Sequence, residues 1–242
     1  MAKALPQDTE LPPEGAAIPK KQVAVVIDDF GNGMKGTKEM LELPIPFTAA
    51  VMPFLPTTKS DAELAHKMGK PVFLHMPMEP RKGKRSWLGP GAITMDLSDE
   101  EVRQRIEAAI DDIPYVEGIN NHMGSKVTAS ERMMRVILTV CKERGLVYLD
   151  SKTNDKSVAG KIAKELGVKY AENELFLDDV YTAKHVSGQV AKLRKKLKEK
   201  DDCIIIGHVG PPGPVTAEVL KQSIPELQKN VTFVPVTKLT KS

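Results

Sequence analysis

From residue 21 onward, short runs of aliphatic and β-branched residues alternate with longer amphipathic segments of helical periodicity. Most of the short runs are apolar at successive positions, as strands must be when both faces of a parallel sheet are covered. Seven or eight such units predict an α/β fold, a single (β/α) barrel of seven or eight parallel strands, with an open doubly wound sheet as the alternative. The predicted strands cover residues 23–28, 47–52, 71–76, 116–121, 146–150, 168–172, 203–208 and 231–236.

The helical segments between these runs carry start and stop residues. Ser98 and Glu101 form the Ser-x-x-Glu pattern of a capping box ahead of an apolar helical face. Ser130 is placed to cap the next helix, because its side-chain oxygen can accept from a free backbone N–H group. Gly145 and Gly167 follow the last apolar residue of two helices, where a left-handed conformation commonly ends a helix. The sequence therefore predicts repeated strand–helix units without a long linker.

Composition limits the class of protein. Among 242 residues 41% are hydrophobic, which is ample for one soluble core, and the formal net charge is only +3. Because a dedicated nucleic-acid binder usually shows a strong basic stripe, we expect no nucleic-acid partner. The densest basic run, residues 192–200, has helical spacing and indicates the solvated face of a surface helix rather than a polyanion-binding patch. No apolar run approaches the roughly 18 residues of a membrane span.

The first 21 residues differ in composition from the rest of the chain. They are rich in Pro, Gly and charged residues, so we expect residues 1–21 to be a flexible tail or linker and residues 22–242 to form one domain. The tail lacks the apolar core of a signal peptide, but it fits the stub left by a removed export signal or anchor. Cys141 and Cys203 lie in apolar runs and are expected to be buried free thiols.

Polar residues collect at the C-terminal ends of the predicted strands. In parallel α/β folds the loops at these ends converge, and chemistry is concentrated there. Three of the five histidines lie at such ends, so the sequence predicts one shared site at the rim of a barrel. The residues are Asp28 and Asp29 after the first strand, His75 after the third, Asn120, Asn121 and His122 after the fourth, Asp150 after the fifth, and His208 after the seventh.

Each of these residues has a structural alternative. A histidine after a strand is usually a hydrogen-bonded structural residue, and paired aspartates at a turn are more often caps than ligands. His66 and His185 lie in helical patterns and are expected at the surface. A second carboxylate pair, Asp178 and Asp179, is expected to supply a helix cap from one member, while the other could face the rim. Convergence of several strand ends favours the functional interpretation.

The residue types at the rim suit metal-assisted hydrolysis. Histidine nitrogens with a carboxylate are ligands for Zn²⁺ or another divalent transition metal, and a catalytic zinc site uses three of them. A second carboxylate can then act as general base, and a histidine across the site as general acid. The chain has no Gly-x-Ser-x-Gly nucleophile elbow and no Walker A sequence, so serine hydrolases and P-loop NTPases have no support.

Six segments make a family resemblance specific, namely VIDDFG, LHMPMEP, NNHMGS, LDSKT, FLDD and IGHVG. In this order they resemble the divergent polysaccharide deacetylase family over about residues 22–240. That family belongs to the metal-dependent carbohydrate deacetylases, so the resemblance implies a deformed (β/α) barrel and a bound Zn²⁺ or similar metal. It implies catalytic roles for Asp28 (base), His208 (acid) and Asp150 (tuning of acid and base), and metal binding by Asp29, His75 and His122.

The chain departs from the wider superfamily around the metal ligands. The superfamily usually takes two histidines four residues apart, whereas Glu79 and Lys126 stand four residues after His75 and His122. NNHMGS replaces the usual Arg-Pro-Pro-Tyr segment. The metal site is therefore assembled from different strands, uses Glu79, or is lost. If it is lost, the alternative function is a catalytically silent carbohydrate-binding or cell-envelope partner protein on the same scaffold.

The resemblance also implies an N-acetylated polysaccharide or oligosaccharide as substrate, and a periplasmic or extracellular location. Trp87, the only tryptophan, lies in the basic and glycine-rich loop 81–92 and suits either stacking on a sugar ring or packing against the barrel top. Backbone amides near Gly124 and Ser125 could help to hold an oxyanion. The expected substrate-binding residues are Glu79, Trp87, Asn121, Gly124, Ser125 and Asp178.

Overall fold

The computed structural model describes residues 20–241, except for the side chain at position 85. The predicted tail lies outside the described residues apart from Lys20 and Lys21, and Lys21 already begins the first strand. The division into a tail and one domain stays a prediction. Within the described range, none of the helices combines the length and apolar character needed to cross a membrane.

Strands and helices alternate along most of the described chain. The strands are β1 (Lys21–Phe30), β2 (Thr48–Val51), β3 (Val72–Met78), β4 (Val116–Met123), β5 (Val147–Asp150), β6 (Tyr170–Glu172), β7 (Leu175–Phe176), β8 (Asp202–His208) and β9 (Val231–Phe233). The helices are α1 (Thr37–Leu41), α2 (Thr58–Lys67), α3 (Asp99–Asp112), α4 (Glu131–Arg144), α5 (Ala159–Leu166), α6 (Ala183–Glu199) and α7 (Gly213–Leu227).

Parallel pairing joins the strands into one curled sheet that forms the barrel. From β1 the order runs through β2, β3, β4 and β5 to β6, and β8 pairs with the other edge of β1. β6 pairs with β5 and β7 pairs with β8. The backbone N–H of Asn173 donates to Asp150 and that of Glu174 to Ile204, so the chain crosses from β5 to β8 within two residues. The predicted parallel barrel is confirmed, and the open doubly wound alternative is wrong.

Two strand predictions are only partly correct. Residues 168–172 were expected to form one strand, but pairing begins at Tyr170 and resumes at Leu175–Phe176 on the far side of the crossing. Residues 231–236 form a strand only over Val231–Phe233, which pairs with the first residues of β1. Because β8 occupies one edge of β1 along most of its length, β9 and β2 share the opposite edge.

Strand alternation divides the core into two layers. On β1, Ala24 and Val26 belong to the cluster inside the barrel, whereas Val23, Val25 and Ile27 belong to the larger cluster that packs against the helices. Successive residues of a strand point to opposite faces, so every second residue of each strand lines the interior. The interior cluster comprises Ala24, Val26, Ala50, Phe73, Val147, Leu149, Ala171, Ile204, Ile206, Val236 and Leu239.

Helix ends follow the sequence pattern at most positions. Ser98 and Glu101 form the predicted capping box of α3, and Ser130 accepts from Met133 N at the start of α4. α4 and α5 end at Gly145 and Gly167, both left-handed, and these predictions are confirmed.

The prediction that Asp178 or Asp179 caps the following helix is wrong. Thr182 caps α6 by accepting from His185 N, so neither Asp178 nor Asp179 serves there. Asp179 instead pairs with the half-buried His185 at 2.6 Å.

Three other predictions are confirmed. The basic run lies in the last turns of α6, where Lys192 is exposed. Cys141 and Cys203 are buried free thiols, and His66 is exposed.

Gly118 on β4 allows the barrel interior to close around Phe73. A Cβ atom at position 118 would lie 2.5 Å from the Phe73 ring, and that ring is fully buried. We expect Gly118→Ala to lower the free energy of unfolding by roughly 1–3 kcal/mol through overpacking. Gly188→Ala is the matched control, because nothing lies within 4 Å of its added Cβ and alanine favours the α6 helix. Equal stability of the two variants in urea unfolding would contradict this packing.

Candidate metal centre

On four strands, the side chains that face the barrel interior are apolar along the strand and polar at its C-terminal end. On β1 the series Ala24, Val26 continues to Asp28, and on β8 Ile204, Ile206 continues to His208. On β3 His75 follows Phe73 by two residues, and it pairs in register with Asn120 of β4. His122 lies two residues beyond Asn120. The period of two therefore brings these side chains to one end of the barrel interior.

Asp29 reaches the same site through an irregularity in β1. Its φ of 71° is left-handed, and the pairing with β2 shifts register between Ile27 and Phe30. A regular strand would turn Asp29 away from Asp28. The left-handed conformation is uncommon outside glycine but is tolerated by aspartate, and such residues concentrate at functional sites. This bulge is what lets two consecutive carboxylates face one centre.

The three glycines after β1 shape a tight turn and do not form a phosphate-binding loop. Gly31, Gly33 and Gly36 all have positive φ and match the Gly-x-Gly-x-x-Gly spacing of dinucleotide-binding loops. However, the N–H of Gly31 donates to buried Asp61 and that of Gly33 to Thr57, both at 2.8 Å. The following helix is only five residues long. The glycines therefore serve the sharp turn that positions Asp29.

Asp29, His75 and His122 converge on one point. Their candidate ligand atoms all lie within 4.8 Å of one another. His75 Nε2 lies 3.4 Å from Asp29 Oδ1 and 3.2 Å from His122 Nδ1, and His122 Nδ1 lies 3.1 Å from Asp29 Oδ1. Two imidazole nitrogens and one carboxylate oxygen are a donor set that suits Zn²⁺ with an open position. Of the sequence alternatives, the structure favours a site assembled from three strands.

Glu79 lies outside this cluster. Its carboxylate accepts from Met95 N at 2.7 Å and pairs with Lys126. Its backbone also exchanges hydrogen bonds with Ile93 and Lys126, so it ties together the loops that follow β3 and β4. Glu79 is therefore not among the three residues of the metal cluster, and its expected contact with substrate stays a prediction.

Opposite shifts in pKa distinguish the two carboxylates. Burial raises the pKa of Asp28, although His75, His208 and a hydrogen bond from Asn120 oppose this effect. Burial acts in the same direction on Asp29, but hydrogen bonds and charge from His122 and His75 hold its pKa well below the usual value. A pair of titratable groups driven apart in this way is typical of acid and base assignments in active sites.

His208 lies beside Asp28 on the other edge of β1 and is held by Asp178. His208 Nδ1 lies 2.7 Å from Asp178 Oδ1, and the second carboxylate oxygen accepts from His208 N and the Thr216 hydroxyl. Burial lowers the pKa of His208, but the Asp178 bond and the charges of Asp29 and Asp28 outweigh it and raise the pKa to about 9. His208 is therefore protonated at neutral pH and suited to donate.

Removal of the Asp178 charge is expected to shift the alkaline limb of any activity that uses His208 as acid. The acid form exists below the pKa of His208, so activity falls as the pH rises through about 9. Asp178→Asn weakens the main interaction that raises this pKa, so the fall moves to lower pH by roughly one unit or more. Asp179→Asn is the control, since Asp179 pairs with His185 instead. An unshifted limb in Asp178→Asn would contradict the assignment.

Asp150 and Asn121 point out of the barrel interior, contrary to their predicted roles. Leu149 faces inward, so Asp150, the next residue, faces outward and bonds Lys152 N at 2.8 Å and the Tyr170 hydroxyl at 3.3 Å. Asp178, whose carboxylate lies 2.7 Å from His208 Nδ1, raises the pKa of His208 and so supplies the kind of tuning that the resemblance gave to Asp150. The expected contact of Asp178 with substrate stays a prediction.

Asn121 follows the inward Asn120 and is also turned away from the site. It accepts from Ser151 N at 3.0 Å and donates to Met123 O at 2.7 Å, so it braces the end of β4 rather than the substrate. Gly124, with φ of 82°, packs against Met78, where a Cβ would lie 3.0 Å from the Met78 Cβ. Ser125 Oγ accepts from Arg81 N at 2.9 Å. Oxyanion binding near Gly124 and Ser125 stays a prediction.

A cavity opens beside the metal cluster on the His208 side. Its volume is about 230 Å³, and its lining includes Asp29, His208 and Tyr181. Tyr181 is 58% exposed and was not identified from the sequence, although it follows β7 by five residues. Trp87 is 59% exposed, which favours an available aromatic face over a packed one. Aromatic rings with one free face are suited to contact sugar rings.

Comparisons with known proteins agree with this architecture. A family model described as divergent polysaccharide deacetylase matches residues 25–240. An uncharacterized protein of Haemophilus influenzae is 32% identical over 215 residues, which cover 89% of this chain and 75% of that protein.

Two solved structures share the fold at low identity. An uncharacterized protein from Agrobacterium tumefaciens has a TM-score of 0.83 at 19% identity, covering 94% of this chain and 92% of that one. The catalytic domain of a peptidoglycan N-acetylglucosamine deacetylase from Eubacterium rectale has a TM-score of 0.52 at 17% identity, covering 91% and 90%. Because the family model matches nearly the whole length and the Haemophilus influenzae protein is 32% identical, the chain belongs to the divergent polysaccharide deacetylase family.

Proposed function

We propose that the protein is a metal-dependent hydrolase that removes N-acetyl groups from a glycan. The observation that carries the proposal is the convergence of Asp29, His75 and His122, with Asp28 and His208 paired beside them on β1 and β8. This arrangement supplies a three-ligand metal site, a buried base and a protonated acid in one place. Each component matches a requirement of amide hydrolysis.

Asp29, His75 and His122 would hold the metal. A bound divalent metal would polarise the acetyl carbonyl and make water more acidic, which is the chemistry that zinc supplies in hydrolases. The carboxylate of Asp28 would accept a proton from the attacking water. Its fully buried position, with a pKa raised by burial, suits a group that gains a proton during reaction and loses it afterwards.

His208 would complete the reaction at the leaving group. The amide C–N bond breaks to give acetate and a free amine, and the amine nitrogen needs a proton to leave. His208 carries that proton at neutral pH because its pKa is raised to about 9. Asp178 orients the ring through Nδ1, which leaves the Nε2–H, on the other side of the ring, as the group that would donate to the leaving amine.

An N-acetylated polysaccharide is the proposed substrate class. Family membership supports a polysaccharide, and the exposed rings of Trp87 and Tyr181 support contact with sugar units. The catalytic domain from Eubacterium rectale is named for peptidoglycan N-acetylglucosamine, and it shares the barrel fold. A polymer of N-acetylated sugars in the periplasm or outside the cell is the corresponding proposal for location and partner.

Acetate release tests the proposal against the catalytically silent alternative. The protein is stripped with a chelator, reloaded with zinc, and incubated with N-acetylglucosamine oligomers and with peptidoglycan fragments. We expect release from the zinc-loaded protein and none above background from the stripped protein. Binding of the oligomers without metal-dependent release would instead support a carbohydrate-binding partner protein on this scaffold.

The exposed ring of Trp87 is expected to contribute to glycan binding. Stacking of a sugar on an aromatic face is lost in Trp87→Ala, so KM for oligomers rises, roughly 5–13-fold for about 1–1.5 kcal/mol of lost contact. The side chain is 59% exposed, so the free energy of unfolding changes little. Trp87→Phe is the control, because it keeps an aromatic face. An unchanged KM in Trp87→Ala would exclude this contact.

A further inference from the structure

Asn120 joins the metal ligand His75 to the proposed base Asp28. His75 Nδ1 lies 2.9 Å from Asn120 Oδ1, and Asn120 Nδ2 lies 2.9 Å from Asp28 Oδ1. The second hydrogen of the amide points to Ser151 Oγ at 3.3 Å. Asn120 is completely buried, and His75 is its direct neighbour in register on β3. One side chain therefore contacts two functional groups that come from two other strands.

The donor and acceptor in each of these hydrogen bonds follow from the chemistry of the groups. An ionised Asp28 carboxylate can only accept, so the amide NH₂ of Asn120 must face it. The amide oxygen must then face His75, and because a carbonyl oxygen accepts, His75 must donate from Nδ1. In the neutral ring, the form that binds a metal, the Nε2 atom of His75 is then left without a proton, on the side of Asp29 and His122. A metal-binding histidine is commonly fixed by such a bond at its other nitrogen.

We propose that Asn120 is a positioning residue that fixes the His75 tautomer for metal binding and orients the Asp28 carboxylate for proton transfer. The metal-binding half depends only on the Asp29, His75 and His122 cluster. The proton-transfer half rests on the proposed function. An asparagine suits both tasks because it is the shortest side chain that presents a donor and an acceptor side by side.

Two substitutions test the metal-binding half and the proton-transfer half of the proposal separately. Asn120→Asp keeps an oxygen for His75 Nδ1–H but removes the donor to Asp28 and places two carboxylates face to face. Asn120→Ala removes both bonds. Asn173→Asp is the matched control, since Asn173 is also buried, bonds Ser151 O and Leu175 N, and contacts none of the three metal-binding residues. Zinc affinity is measured by competition with a chelator, and acetate release is resolved into kcat and KM.

We expect Asn120→Asp to bind zinc within about threefold of wild type and to lose roughly 100-fold in kcat with KM little changed. Asn120→Ala is expected to bind zinc about 10–100-fold more weakly. Wild-type zinc affinity in Asn120→Ala, or an equal loss of zinc affinity in both variants, would overturn the metal-binding half of the proposal. A wild-type kcat in Asn120→Asp would overturn the proton-transfer half.

The outcomes also separate this inference from the proposed function. If wild-type protein releases no acetate, the proposed function fails, while the zinc affinities of the Asn120 variants still decide the tautomer assignment. If Asn120→Ala does not fold, as judged by thermal unfolding against Asn173→Asp, the isosteric Asn120→Asp carries the test. In that case zinc affinity well below wild type in Asn120→Asp would overturn the metal-binding half, since that variant keeps the acceptor for His75.

Discussion

Asp28→Asn is expected to reduce acetate release roughly 10²–10⁴-fold while leaving zinc affinity within about threefold of wild type. The substitution keeps the size of the side chain and removes its ability to accept a proton. Asp28 lies 3.6 Å from His75 Nε2 but is not part of the convergent ligand set, so the metal site should survive. The buried environment that raises the pKa of Asp28 also tolerates a neutral amide.

The measurement is kcat for acetate release at saturating oligomer, with zinc occupancy determined on the same samples. Asp201→Asn is a control on a carboxylate whose side chain is 93% exposed, far from the site in the ion pair with Lys21. Activity within tenfold of wild type in Asp28→Asn would show that another group takes the proton. Loss of zinc in Asp28→Asn would instead place Asp28 among the ligands.

Asp29→Ala is expected to abolish zinc binding at micromolar metal and, with it, acetate release. Loss of a direct ligand should exceed the roughly 10–100-fold that removal of a supporting partner costs. Asp29 also occupies a left-handed conformation at φ 71°, which alanine adopts only with strain. The expected result is therefore a combined loss of metal affinity and of stability, the latter by about 1 kcal/mol.

Asp29→Asn separates these two effects. Asparagine tolerates the left-handed conformation, so stability of the metal-free protein should stay near wild type. It lacks the negative charge, so zinc affinity should still fall by more than tenfold. Equal zinc binding by wild type, Asp29→Ala and Asp29→Asn, measured by metal analysis after dialysis, would exclude Asp29 as a ligand. His122→Ala tests the third ligand in the same assay.

Much of the fold could be predicted because it depends on local patterns. The capping box at Ser98 and Glu101 and the left-handed Gly145 and Gly167 are set by residues within one turn. The crossing at Asn173 and Glu174 could not be predicted, since a two-residue strand such as Leu175–Phe176 leaves almost no periodic pattern. Its consequence is that one segment pairs first with β5 and then with β8, the strands on either side of it.

The site was predictable as a set of strand ends but not as a set of contacts. Both faces of these strands are buried, so the sequence alone does not show which residue of a neighbouring pair faces inward. Asp150 and Asn121 were assigned to the site for this reason, although each follows an inward residue and faces outward. Asp178 was missed as the partner of His208 because β7, which precedes it, was not predicted.

Asp29 illustrates the opposite case. Its neighbour Asp28 occupies the inward position, so alternation would turn Asp29 outward, and only the left-handed bulge returns it to the site. Its position at a strand end placed Asp29 in the predicted site and the family resemblance gave it metal binding, whereas strict strand alternation would have rejected it. The backbone irregularity is therefore the most specific structural feature of the candidate centre.

Anomalous diffraction at the zinc edge, from a crystal soaked in zinc, would show directly whether Asp29, His75 and His122 hold a metal ion. We predict one strong peak at about 2.0–2.2 Å from Asp29, His75 Nε2 and His122 Nδ1, absent from a crystal of Asp29→Ala treated in the same way. A crystal that shows no peak between these three side chains, or zinc held elsewhere on the described chain at higher occupancy, would contradict a metal-dependent active site at this position.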